Sequence, residues 1–304
     1  MNTTRHKSVL KIGIALCVTV IIVIILRQLF LSAFFVKEDR INILFYSSEP
    51  IYFSFEKGGE VHYLTTFNAD SRTAVSGGYG IYRIGALGKL TTLEKNPELL
   101  KRTISRITGS MIDYYFYPSS ETIYYGSNEK VRLPSLVEIF FNASNANFFD
   151  RLYIYFQFFG KHITDFEEVH INYIQTGDTV LLSDTTFARQ YLGYFYHKSL
   201  RKENKTVQIL YTDSYISAKN MSRVIDGEGI RVVDIDLSDS LKSRPKVDSP
   251  LGEKANCVIK ENTQNGFSHT AEEISRFFNC ILTKGKGRVS DIVIEMGKSE
   301  GEWE

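Results

Sequence analysis

The stretch FNADSRTAVSGGYGIYRIGALG, residues 67–88, sets small residues and glycines among Asp70, Arg72 and Arg83. A loop of this composition can present backbone N–H groups and arginine side chains to a phosphate. The same composition is also typical of an exposed loop between two strands. The stretch is therefore either a phosphate site or the remnant of one, and its composition alone does not decide between them.

The composition of the whole chain excludes some partners. The 304 residues include 36 Lys and Arg against 35 Asp and Glu, which gives a net charge of +1 and no reason to expect nucleic acid as a partner. Hydrophobic residues make up 43% of the chain, which is sufficient for a packed core. The length allows roughly two domains.

Residues 12–35 form a run long enough to cross a membrane as one helix. Residues 12–26, IGIALCVTVIIVIIL, are uncharged and apolar on all sides, which argues against an amphipathic core helix. Arg27 lies towards the end of the run, where its long side chain can reach the head groups. A cleaved signal peptide is the alternative, but the run is long and residues 31–33 make a weak cleavage site, so an uncleaved anchor is favoured.

The charges beside this run predict its orientation. Three Lys or Arg residues lie within residues 1–11, whereas the charges of residues 37–40 cancel. Because basic residues favour the cytoplasmic side, the tail 1–11 is expected in the cytoplasm and everything beyond about residue 36 outside it. The sequence predicts a single-pass protein of the cell membrane with an extracytoplasmic body.

Two cysteines lie outside the apolar run, Cys257 and Cys280, while Cys17 lies within it. In an oxidising compartment Cys257 and Cys280 could pair, and two buried free thiols in neighbouring strands are the other interpretation. Both interpretations stay open. The spacing of cysteines and histidines matches no metal-binding motif, so no metal site is predicted.

The first part of the body reads as mixed α/β. INILFYSS, EVHYLTTF and MIDYYFYP are typical of strands and alternate with helical runs. The clearest helix, NPELLKRTISRI at residues 96–107, has its apolar residues on one face and lies between Pro97 and Gly109. A later run, FFDRLYIYFQFFG at residues 148–160, is almost wholly aromatic and aliphatic and is predicted to be a deeply buried helix.

The second part begins after LRKENK, residues 200–205, a charged stretch that predicts a domain boundary. Beyond it, strand-like TVQILYT, IRVVDIDL, CVIKEN and DIVIEMG alternate with helical AKNMSRVIDG and HTAEEISRFFN. This alternation predicts a small sheet with helices packed on it. The polar SDSLKSRPKVDSPLGEK, residues 238–254, is expected to be a mobile loop.

These segments carry a family resemblance. Residues 206–237 and DIVIEMGKSEGEW, residues 291–303, resemble the LytR C-terminal domain over nearly all of residues 206–304. At Tyr211, Thr212 and Asp213 the chain departs from that domain's usual Asn-Gly-Thr, so the first strand-to-helix turn is expected to differ.

That domain usually follows a LytR-CpsA-Psr (LCP) domain behind one N-terminal membrane helix, and this chain has the same order. INILFYSSE, GYGIYRIGALG and LLKRTISRITGSMIDYYFYP are similar to the LCP family's first strand, its G-Y-G-x-x-K-I-N-A-A text and its next helix and strand. The resemblance is good from residue 41 to about residue 118. It implies a bacterial cell-envelope protein with an LCP-like domain at 41–199 and a LytR C-terminal-like domain, a small α/β sandwich, at 206–304.

In active members of the family, arginines and a metal-binding aspartate hold a polyprenyl pyrophosphate while the glycan phosphate moves to a cell-wall acceptor. Such transfer needs positive charge around the phosphate oxygens. Here the family's P-R-D-T text reads Asn68, Ala69, Asp70 and Ser71, so an alanine stands at the arginine position. No segment matches the family's later arginine-rich helix. The resemblance therefore implies a degenerate catalytic domain.

Two functions follow as hypotheses. The first is a non-catalytic membrane-anchored envelope protein that binds glycan, a lipid-linked precursor or another envelope protein. The second is a phosphotransferase that attaches glycopolymers from polyprenyl pyrophosphate carriers to the cell wall, with Mg²⁺ as its cofactor. Asp70, Arg72 and Arg83 are the candidate phosphate-binding residues in both cases, and no catalytic residue is assigned.

Overall fold

A computed structural model describes residues 3–35, 39–58, 61–118, 122–126, 131–177, 179–238, 256–264, 266–285, 287 and 289–304. The architecture is mixed α/β after an N-terminal helix, as the sequence predicted. The helices are α1 (Thr3–Phe30), α2 (Leu87–Leu93), α3 (Glu98–Thr108), α4 (Leu136–Phe141), α5 (Phe148–Phe158), α6 (Asp184–Tyr191), α7 (Lys198–Glu203), α8 (Tyr215–Gly227), α9 (His269–Phe278) and α10 (Ser299–Trp303). The strands are β1 (Arg40–Phe45), β2 (Ile51–Glu56), β3 (His62–Thr66), β4 (Arg72–Val75), β5 (Gly80–Arg83), β6 (Tyr114–Tyr117), β7 (Ala143–Ser144), β8 (Phe166–Glu168), β9 (Tyr173–Thr176), β10 (Thr179–Leu182), β11 (Thr206–Tyr211), β12 (Arg231–Leu237), β13 (Cys257–Glu261), β14 (Ile281–Lys284) and β15 (Ile292–Met296).

Helix α1 is long enough and apolar enough to cross a membrane. Its window Gly13–Phe30 has a mean hydropathy of 2.5, and none of that window is buried against the rest of the chain. The helix ends at Phe30, not at residue 35 as predicted, because residues 31–35 form turns that contact the body. Ser32 and Ala33 are buried in that contact.

The first part is built on a six-stranded sheet with the order β7-β6-β1-β2-β3-β8. Side chains of β1 alternate between two cores, with Ile43 and Phe45 in one and Leu44 in the other. Helix α5 packs into the first core, and α3 packs into the second together with a four-stranded sheet ordered β5-β4-β10-β9. Both faces of the central sheet are therefore covered.

Helix α5 is buried on one face only, so the prediction that the whole helix is deeply buried was wrong. Tyr153, Ile154 and Phe158 enter the core, whereas Phe148 and Phe156 are 60% and 54% exposed. The pattern could not distinguish the two faces because both are apolar.

The second part holds a five-stranded sheet with the order β12-β11-β15-β13-β14, packed against α8, α9 and α10. A disulfide joins Cys257 and Cys280 within the core of the second part. Of the two interpretations left open by the sequence, the structure therefore shows pairing. Of the predicted mobile loop at 238–254, the residues from 239 onward lie outside the described residues.

The predicted boundary at 200–205 falls largely within helix α7, which contacts both parts. Ser199 donates from its backbone N–H and its hydroxyl to Asp39, each at 3.0 Å. Leu200 is buried in the core of the second part. Glu203 accepts backbone hydrogen bonds from His269 and Thr270 at the start of α9, at 3.1 and 2.8 Å. The limits 41–199 and 206–304 stay a prediction.

The turn after β11, where the sequence departs from the family text, is held by Glu300 of α10. The carboxylate accepts the backbone N–H groups of Thr212, Asp213 and Ser214 at 2.5, 2.7 and 2.9 Å and the Thr212 hydroxyl at 2.6 Å. Burial raises the pKa of Glu300, but these hydrogen bonds together lower it by more than burial raises it. The pKa therefore lies below the ordinary 4.5. The ionised carboxylate therefore stabilises this turn.

We expect Glu300→Gln to destabilise the protein at pH 7 by about 1 to 3 kcal/mol, since an amide cannot accept all of these hydrogen bonds. A lowered folded-state pKa contributes stability above the unfolded pKa and loses it as the pH falls through the folded value. The difference from wild type should therefore shrink below about pH 4. Thermal unfolding in detergent between pH 3 and pH 7 measures it. Glu272→Gln, at an exposed site on α9, is the control, and an equal deficit of Glu300→Gln at every pH would contradict the argument.

Candidate functional site

The structure brings the three predicted site residues together at one end of a hairpin. Asp70 lies in the turn before β4, Arg72 is the first residue of β4, and Arg83 is the last residue of β5. The two strands are antiparallel and place Arg72 directly opposite Arg83. Residues opposite each other project from the same face with Cβ atoms about 4.5 to 5.5 Å apart, so both guanidinium groups can reach one anion.

Other groups of the protein already interact with Arg83 and Asp70. Arg83 Nη1 lies 3.7 Å from Asp70 Oδ1, and the Arg83 guanidinium stacks over the Tyr125 ring at 5.3 Å. The other Asp70 oxygen accepts the backbone N–H of Gly126 at 3.0 Å. Within the part of the chain that the structure describes, the exposed Arg72 side chain makes no hydrogen bond or ion pair. Of the two arginines, Arg72 is therefore the one that an incoming anion meets without competition from a carboxylate.

Ala69, at the position of the family's arginine, is fully buried. Its carbonyl accepts the N–H of Gly85 at 2.9 Å, and the Gly85 carbonyl accepts the N–H of Tyr124 at 2.9 Å. A Cβ on Gly85 would lie 2.2 Å from the Tyr124 oxygen and 3.1 Å from the Ala69 Cβ. Gly85 therefore lies between Ala69 and Tyr124, and the fully buried position 69 has no solvent-facing space for an arginine side chain in this arrangement.

The glycines of the stretch 67–88 serve packing and turns. A Cβ on Gly88 would lie 2.5 Å from the ring of Tyr46, whose hydroxyl donates to the Ile84 carbonyl at 3.1 Å. Gly78 and Gly80 have φ of 72° and 87°, the left-handed region that the hairpin turn requires. Packing at Gly88 and turn geometry at Gly78 and Gly80 therefore explain these glycines without a ligand.

A buried cluster between the two parts was not predicted from the sequence. The Nδ1 of His197 lies 2.5 Å from Glu228 Oε2, and its Nε2 lies 4.0 Å from Asp113 Oδ2. His197 and Asp113 also line a cavity of about 300 Å³, together with Lys101, His269, Glu273 and Arg276. No local pattern reveals this cluster, because its members come from distant parts of the chain. The described residues hold no group of three or more side chains that could share a metal ion.

We expect the full chain in detergent to bind inorganic pyrophosphate weakly, and each of Arg72→Ala and Arg83→Ala to weaken that binding. Asp70→Asn should tighten it, since it removes a negative charge beside Arg83. Each change should be on the order of 1 kcal/mol, or about fivefold in Kd. Calorimetric titration measures the affinities, and Arg231→Ala, at an exposed arginine of β12, is the control. Unchanged affinity in both arginine variants would show that the anion binds elsewhere.

The chain matches no protein-family model and no curated protein. Among solved structures it is similar to the transcriptional regulator yvhJ from Bacillus subtilis, at 9% identity and a TM-score of 0.34 over 51% of this chain and 94% of that one. TagV of B. subtilis is similar at 8% identity and a TM-score of 0.34 over 51% of this chain and 95% of that one. TagT of B. subtilis is similar at 10% identity and a TM-score of 0.32, over 53% and 93%. Similarity at this level identifies neither a family nor a function.

Proposed function

We propose that this chain is a membrane-anchored, extracytoplasmic protein of the bacterial cell envelope with an LCP-like domain that does not catalyse phosphate transfer. Its role is to bind glycan, a lipid-linked precursor or another envelope protein. The proposal rests on the sequence texts that resemble the LCP and LytR C-terminal domains, and on the geometry around Ala69.

The observation that carries the proposal is the complete burial of Ala69, whose carbonyl accepts the N–H of Gly85. Phosphoryl transfer is catalysed mostly by positioning and by positive charge aimed at the phosphate oxygens. At the family's arginine position this chain has a buried methyl group, and Asp70 is engaged by Arg83 and Gly126. The remaining charge suits weak anion binding better than catalysis.

The proposed location has three supports. Helix α1 is apolar and unburied over Gly13–Phe30. Three Lys or Arg residues precede that segment within residues 1–11, which favours a cytoplasmic N-terminus. The disulfide between Cys257 and Cys280 suits an oxidising compartment, because disulfides are rare in the cytosol.

The alternative is a phosphotransferase with a rewired site. The opposition of Arg72 and Arg83 on one face of the hairpin favours it, since two guanidinium groups could hold a pyrophosphate that the missing arginine would otherwise bind. Mg²⁺ would belong to this alternative, with Asp70 as the carboxylate near the site.

We expect the purified full chain to show no phosphate transfer from a polyprenyl pyrophosphate-linked glycan in the presence of Mg²⁺. Loss of one donor aimed at developing charge typically costs about 100- to 1,000-fold in rate, and here an arginine and an arginine-rich helix are both missing. Release of the labelled polyprenyl phosphate product measures the activity. Transfer above background that disappears in Arg72→Ala or Arg83→Ala would establish the alternative instead.

We expect protease added to intact spheroplasts to degrade the body, because the basic residues precede α1 and the body then lies outside. Immunoblotting with antibodies against residues 206–304 measures survival, and a cytoplasmic protein in the same spheroplasts is the control. A body that is degraded only after lysis would reverse the proposed orientation.

A further inference from the structure

The outward face of helix α5 carries apolar residues where a surface helix normally carries charges. At 100° per residue, Phe148, Leu152, Tyr155, Phe156 and Phe159 fall within one sector of the helix and its C-cap. Phe148, Phe156 and Phe159 are 60%, 54% and 68% exposed. The opposite sector is also apolar and fills the core, so the exposed sector is not needed for the fold.

Helix α4 extends this apolar surface. Leu136, Val137 and Phe141 of α4 are 56%, 63% and 80% exposed. Phe140 connects the two helices, since its ring centroid lies 6.4 Å from that of Phe148 and 6.2 Å from that of Tyr155. We call the six most exposed residues the aromatic face: Leu136, Val137, Phe141, Phe148, Phe156 and Phe159. Exposed apolar residues grouped on two packed helices point to an interaction site.

Half of the aromatic face lies on α5, and this helix also contacts the residues that follow α1. The backbone N–H of Ala33 donates to Asp150 Oδ1 of α5 at 2.8 Å, and Asp150 also accepts the Tyr114 hydroxyl at 3.2 Å. The Phe34 ring meets the Tyr153 ring edge-on, with centroids 5.1 Å apart. Only three residues separate Phe30, the last residue of α1, from this contact with Tyr153. Helix α5 is thus held beside the point where the chain leaves its apolar helix.

We propose that the aromatic face docks into the interfacial layer of the bilayer that α1 spans, so that the body lies on the membrane instead of standing away from it. Phe and Leu side chains are typical of helix faces that lie in the interface between acyl chains and head groups. Lys57, whose ammonium lies 5.7 Å from the Tyr153 ring centre, adds a positive charge beside the contact between Phe34 and Tyr153. Lipid is favoured over a second copy of the chain because Ala33 and Phe34, which follow α1, contact α5 and hold it beside the membrane-spanning helix. This inference rests on the proposed membrane span.

Depth-dependent quenching tests the proposal on the full chain in liposomes. Phe156→Trp places an indole in the aromatic face, and brominated phosphatidylcholine quenches indoles that touch lipid. Interfacial helices bury their apolar face by about 5 to 10 Å, so we expect roughly half or more of the added emission to be quenched. The natural Trp303 is 2% exposed in the second part and gives a constant background in every variant.

Two further variants separate the outcomes. Ile216→Trp, at a site 63% exposed on α8, is the matched control and should be little quenched. Val23→Trp reports whether α1 itself lies in lipid. If Val23→Trp is quenched while Phe156→Trp behaves like Ile216→Trp, docking is wrong and the span stands. If Val23→Trp is not quenched, both the span and the docking fail. Emission of Phe156→Trp that responds to protein concentration but not to bromolipid would assign the face to a second copy and overturn the proposal.

Discussion

The arrangement of the two parts depends on the buried carboxylate of Glu228, which follows the last residue of α8. Its Oε1 accepts the backbone N–H of Met111, and its Oε2 accepts the backbone N–H of His197 at 3.3 Å and contacts the imidazole. A buried carboxylate is tolerated only with such donors, and removing one partner of a buried pair costs about 3 to 5 kcal/mol. The adjacent Gly227 lies so close to Gly109 that a Cβ would be 1.6 Å from its carbonyl oxygen. The ends of α3 and α8 are therefore fixed against each other.

The sequence predicted the elements whose signals are local. Helix α3 was predicted because its apolar face and its limits at Pro97 and Gly109 lie within one short window, and the structure ends it at Gly109 with φ of 63°. Strand β2 was not predicted, although it is buried on both faces like β1, which was. The burial of α5 was misjudged because both of its faces are apolar. Periodicity locates a face only where the other face is polar.

The candidate site could be predicted only in part. The sequence pointed to Asp70, Arg72 and Arg83, but it suggested a loop where the structure has the hairpin of β4 and β5. The burial of Ala69 could not be predicted, because it depends on packing in which Tyr124 reaches Gly85 from a distant segment with no recognisable pattern. The pairing of Cys257 with Cys280 was open for the same reason, since it depends on how α9 packs beneath β13. Contacts between distant segments are set by the packed core and have no local sequence signal.

The two faces of the central sheet have different surroundings, and this bears on the ligand. Helix α5 and Ala33 pack on one face, while Phe67, Ile84 and Leu87 of the stretch 67–88 pack on the other. If the aromatic face lies in the bilayer interface, the sheet and α5 stand between the lipid and Arg72. Each packed layer is about 10 Å thick, so a pyrophosphate attached to a lipid would have to pass around the edge of the sheet to reach the two arginines. A glycan or protein approaching from the side away from the membrane meets no such obstacle. In that orientation, an envelope-side ligand is favoured over a lipid-linked one.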